Sequence, residues 1–217
     1  MCYSARIRQD YQAYVRAFGA DIDIAEFVRL YWTREQGAKV RIPKAMDAAF
    51  ARPGGEGERR IKAMIDAFDA AQATRLQQEL FKQRKRLADA ERILESKPTK
   101  AAAEHKRIAT DKVAWALGKL AELRRTEPTD EDSRIFPGWH APVLVVEDGR
   151  RVLRPMRYQC RPAGRPANHD VRFPGTYNAR RDSLGGYWKE LFGVSHGLVV
   201  MDAFYENVSR HRMEGRE

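Results

Sequence analysis

"APVLVVEDGRRVLRPMRY" (residues 141–158) decides how the rest of the chain is read. Ala141–Val146 is an apolar run rich in β-branched residues, and Val152, Leu153 and Met156 recur among arginines further on. Between the two lies Asp148-Gly149, a pair favoured where both central residues of a tight turn take positive φ. Two strands joined by a hairpin are therefore expected here.

Outward toward the C-terminus come a Pro/Gly/Asn-rich loop at 162–175 and the segment "GTYNARRDSL". After them "KELF" is a short helix candidate, and "HGLVVMDAFYE" reads as a further buried strand ending in polar residues. Upstream of "TEPTDEDSR" the texture is helical. In 59–95, Ile61, Ile65, Phe68, Leu76, Leu80, Leu87 and Leu94 fall near one stripe. Pro98 ends that helix and Thr99 can cap the next. In 100–125 the face resumes with Ile108, Val113, Leu117, Leu120 and Leu123. The short connector implies two antiparallel arms, the first of about 35 residues and roughly 50 Å. "ARPGGEGE" (51–58) reads as a hinge before them. Nearer the N-terminus, Tyr11, Tyr14, Val15 and Phe18 share a helical face that stops at Gly19, and Asp23 caps a helix carrying Phe27, Leu30 and Tyr31. The expected class is α+β. Residues 1–43 and 134–217 form a β-rich body, and residues 44–133 are an inserted basic helical hairpin.

At 217 residues, 43% hydrophobic and 32% charged, the chain suits one large domain or a domain carrying an insertion. A net charge of +10 points to a polyanionic partner, with nucleic acid the default. Residues 52–126 hold 18 Lys/Arg against 11 Asp/Glu, +7 of that total, with "FKQRKRLADAER" the densest patch. That patch is open to two readings, a solvated helix face or a grip on phosphates. Cys2 and Cys160 are the only cysteines, which argues against a disulfide framework and for a reducing compartment. No apolar run approaches the roughly 18 residues of a membrane span and no leader pattern is present, so a cytoplasmic protein without a membrane partner is expected.

Met1-Cys2 is the remaining feature. A cysteine after the initiator is small enough for aminopeptidase to remove Met1 and leave Cys2 as the mature terminus. Its α-amine titrates near pH 8 and is in part an unprotonated nucleophile at neutral pH. The thiol is a second nucleophile beside it. Together they can trap an aldehyde as a Schiff base closed to a thiazolidine.

Read jointly, Met1-Cys2, Asn178-Ala179-Arg180 with Asp182, and Ala203-Phe204-Tyr205-Glu206-Asn207 resemble the SOS-response-associated peptidase (SRAP) family, the abasic-site sensors. "FPGWHAPVLVV" and "PMRYQCRPAG" resemble two further segments of that family. The resemblance covers residues 1–8 and about 134–208. It departs at Tyr3-Ser4-Ala5-Arg6, where the family has Gly-Arg, and no counterpart of the family's C-terminal strands and histidine precedes Glu217. The resemblance implies a curved mixed sheet or barrel and covalent capture of abasic sites in single-stranded DNA through Cys2. Asn178 would orient the terminus and Glu206 would move protons. Arg180, Lys189 and Arg6 would bind phosphates, and Pro142 and Trp139 would pack on a base. Autoproteolytic removal of Met1 fits the same chemistry. No cofactor or metal is implied, and a monomer associated with the bacterial nucleoid is expected. Two rivals stay open: a non-catalytic nucleic-acid binder using the basic hairpin, and a cysteine peptidase.

Overall fold

The computed structural model describes residues 4–8, 10–162 and 164–206. β1 (Ser4–Ile7) is followed by α1 (Tyr11–Phe18), which Asp10 starts by accepting from the Ala13 amide and Gly19 ends at φ 58°. After β2 (Asp21–Ile22), Asp23 caps α2 (Ile24–Glu35) through the Glu26 amide. α3 (Lys44–Ala48), α4 (Glu56–Ser96) and α5 (Lys100–Arg124) come next, with Thr99 accepting from Ala102 N at the start of α5. β3 (Arg134–Ile135), β4 (His140–Glu147) and β5 (Arg150–Arg157) lead to a short α6 (His169–Arg172) and finally β6 (Met201–Tyr205). The β4–β5 turn has φ 49° at Asp148 and 76° at Gly149, the geometry expected of Asp-Gly.

The chain divides into two compact units, residues 1–64 with 129–217, and residues 65–128. The first unit holds two three-stranded sheets, ordered β3-β1-β6 and β2-β5-β4. Among the described strands β2 and β5 pair in parallel and the other pairs are antiparallel. Leu144 on β4 exchanges backbone hydrogen bonds with Leu198, and β6 follows on the other sheet, so the 198–201 segment passes between the two. Gly197 is required at that crossing, because a Cβ there would lie 2.5 Å from Val143 Cγ1. The helical layer packs on an aromatic cluster around Phe50, with Tyr11 stacked at 4.9 Å and the edges of Phe27 and Tyr31 at 5.6 and 5.5 Å. A second core joins Ala5, Ile7, Ile135 and Ala141, with Trp139, Tyr158 and Val199 against it.

In the second unit, Ala102, Ala109 and Ala116 are buried at seven-residue spacing on α5, and Gln83 and Ala90 are buried seven apart on α4. Small side chains at every seventh position let the antiparallel helices approach closely. Glu91–Lys106 and Glu79–Lys112 pairs, at 3.1 and 4.0 Å, flank that seam on its two sides.

Several expectations shift. Among the described residues the strands form two separate small sheets and no closed barrel, because β6 pairs on one edge only. Met46, Phe50, Ile61 and Met64 are buried in the first unit, and the division between the two units falls within α4. "KELF" lies in a series of turns, since Gly185-Gly186 and Gly193 (φ 83°) leave too few residues between them to propagate a helix. β6 is an exposed edge strand, with Phe204 63% accessible, and Leu117 falls outside the α5 seam.

Candidate functional site

The register of β1 against β6 pairs Ser4 with Tyr205 and Ala5 with Phe204. Two ends of the sequence thereby meet at one end of a sheet, with Glu206 directly after Tyr205. Arg134, at the start of β3, ties them together. Its Nε donates to Ser4 Oγ at 3.1 Å, and its guanidinium carbon lies 4.2 Å from the Tyr205 ring centre. A cation over an aromatic face is attracted by the ring quadrupole. Ser4 is fully buried, while Phe204 beside it on β6 is exposed.

The other sequence-predicted residues lie on the 159–200 segment, on β1 and β4, and at Trp139 just before β4. Asp170 anchors that segment to β5. The buried carboxylate accepts from Arg161 Nη2 at 2.7 Å and also from Arg157, and these guanidiniums, Arg161 foremost, hold it below the usual carboxylate range. Tyr187 meets His169 Nε2 at 3.2 Å, while the buried Nδ1 of His169 has no partner among the described residues. Tyr177 sits edge-on to Tyr158 at 6.2 Å, and Tyr158 packs on the Ala5 cluster. A cavity of about 980 Å³ opens between them, walled by Ala5, Met201, Tyr158, Tyr177, Cys160 and His196 among others. Asn178 adjoins this cavity in sequence but, like Glu206, is not one of its walls.

Cys2 lies outside the described residues. Asn178 ends the turn Pro174–Tyr177, half-buried, and its side chain forms no hydrogen bond among the described residues. Arg180 is exposed and paired with Asp182 at 2.9 Å, so the two charges of its motif hold each other. Lys189 is exposed beside the buried Trp188. Arg6 is paired with Asp130. Trp139 is half-buried against the second core, and Pro142 is fully buried opposite Pro155, where its ring meets no base. β4 is buried on both faces from Ala141 to Leu144, which corrects the assignment of Pro142 as a stacking residue.

Cys160 is no substitute for Cys2 as a nucleophile. Burial pushes its thiol up, away from the thiolate that attack requires. Arg134 is the residue that sequence reasoning missed, because its role depends wholly on which strands pair. Among the described residues no group of His, Cys, Asp or Glu could hold a metal ion, and no helix is long and apolar enough to cross a membrane.

A scan against protein-family models gives no match to this chain, and none arises among curated proteins or solved structures.

Proposed function

We propose that this protein captures abasic sites in single-stranded DNA through the α-amine and thiol of Cys2, as the SRAP-like motifs imply. The observation that carries the reading is the β1–β6 register, which sets Ser4 opposite Tyr205 and beside the Glu206 motif. Ser4, two residues after Cys2 in sequence, is thereby paired beside the Glu206 motif, and this pairing supports the reading.

The chemistry runs in three balanced steps. The Cys2 amine adds to C1′ of the ring-opened abasic aldehyde and gives a carbinolamine. Glu206, as its acid, donates a proton to the departing hydroxyl, and water leaves to form the iminium. The Cys2 sulfur adds to the iminium carbon, its proton passes to the Glu206 carboxylate, and the five-membered thiazolidine closes. The Asn178 side-chain amide orients the amine. Arg180, released from Asp182, and Lys189 contact flanking phosphates.

The test is a denaturing gel of the full chain with a single-stranded oligonucleotide whose uracil has been excised by uracil-DNA glycosylase. A heat-stable shifted band that needs the excision supports the reading. Glu206→Gln is expected to slow its formation at least tenfold and Asn178→Ala to slow it less. Equal adduct formation by Cys2→Ser with the same heat stability would overturn it.

A further inference from the structure

The second unit has two unlike flanks. On a 3.6-residue period, Arg75, Lys82 and Arg86 of α4 fall on one side of the alanine seam, and Lys112, Trp115 and Lys119 of α5 fall on the same side. The Glu79–Lys112 pair crosses on that side, and so does a cleft of about 390 Å³ bounded by Lys82, Arg86 and His105. The opposite flank carries Glu91, bonded to Lys106, with Glu95 and Arg84. Lys82, Lys119 and Arg75 enter no ion pair among the described residues, whereas Arg92, Lys106 and Arg107 elsewhere on the hairpin are each held by a carboxylate. Three unpaired cations, Arg75, Lys82 and Lys119, thus stand on this flank around an exposed indole, against Arg84 and Arg124 on the other. Trp115 stands among them, 53% accessible, three residues from Lys112 and four from Lys119.

We infer that this flank is a binding track for single-stranded nucleic acid, separate from the Cys2 site and independent of the capture reading. At about 1.5 Å per residue Arg75 and Arg86 stand about 16 Å apart along α4, room for several phosphates of one strand. The cations follow the backbone without reading sequence, and the exposed indole supplies a face on which an unstacked base can lie. A lipid surface fits less well, since an interfacial helix needs a broad apolar face and this flank exposes only Trp115 and Ile93. A duplex fits less well too, because its bases are not free to stack on Trp115.

The test uses the full chain carrying Cys2→Ala, so that covalent capture contributes nothing. Fluorescence anisotropy follows a labelled 20-nucleotide oligothymidylate without abasic sites, over a range of salt. Lys82→Gln with Lys119→Gln is compared with Arg84→Gln with Arg124→Gln, an equal charge change on the other flank. Each single-strand phosphate contact adds about 0.7 to the salt slope, so the first pair should flatten it by about 1.4 and weaken binding about 25-fold at 0.1 M salt. The second pair should stay within twofold of the parent. Trp115→Ala should weaken binding about tenfold and leave the slope unchanged. Circular dichroism verifies that the helices persist in every variant. Equal losses from the two flanks, tighter binding of a duplex of the same length, or binding of phosphatidylserine vesicles with the same residue dependence would each overturn the inference.

Discussion

Replacing Arg134 by methionine tests the architecture of the sheet end directly. Methionine keeps much of the aliphatic stem and removes the guanidinium. A hydrogen bond from a charged donor such as Arg134 Nε to buried Ser4 contributes about 1.5 kcal/mol, and the cation over Tyr205 adds about 0.5–1 kcal/mol. The pair with the exposed Glu131 adds almost nothing. The expected loss is therefore about 2 kcal/mol, or roughly 4–8 °C in Tm for a chain of this size. Urea unfolding at pH 7, followed by near-ultraviolet circular dichroism, measures it. A double-mutant cycle with Tyr205→Leu isolates the ring contact, with an expected coupling of about 0.5–1 kcal/mol. A loss under about 0.5 kcal/mol, or strict additivity with Tyr205→Leu, would show that Arg134 does not join the strands.

Three further outcomes follow from the packing and the charges. Asp170→Asn leaves Arg157 and Arg161 without their buried carboxylate and should cost about 3 kcal/mol at pH 7. Because the folded pKa of Asp170 is lowered, its contribution is present above about pH 4 and is lost as pH falls through the lower folded value. The difference from the parent in urea melts should accordingly shrink toward pH 2. Tyr11 is pushed up to about 12, by burial first and then by Glu58, so its contribution is full below about pH 10 and lost as pH rises toward 12. Tyr11→Phe should remove that alkaline loss in stability measured between pH 9 and pH 12. Gly197→Ala drives a methyl onto Val143 and should destabilise the first unit by about 1–3 kcal/mol in the same urea assay.

What the sequence discloses here follows the range of the interaction. The helices rest on neighbours three or four residues away, so Asp23, Thr99 and Gly19 marked their ends correctly. The β4–β5 hairpin is equally local, since Asp148-Gly149 alone specifies its turn. The β1–β6 pairing joins residues two hundred positions apart, and nothing in either segment states its partner. Arg134 stayed hidden for that reason, as did the Arg6–Asp130 pair. Pro142 was misplaced because an apolar strand buried on both faces shows no alternation from which to read its phase. Phe204 looked like core from its type, yet an edge strand leaves it in solvent. Of the candidate site, the residue types were legible as motifs, while the pairing that sets Ser4 opposite Tyr205 was not.

The most direct test of the central claim is the intact mass of the species formed with a single-stranded abasic oligonucleotide. The account predicts protein lacking Met1 joined to the oligonucleotide with loss of one water, in a form that survives heating and needs no borohydride. With Cys2→Ala the amine remains but the ring cannot close, so the linkage should be lost on heating unless borohydride is present. A product retaining Met1, or a heat-stable adduct of the same composition from Cys2→Ala, would contradict capture by the N-terminal aminothiol.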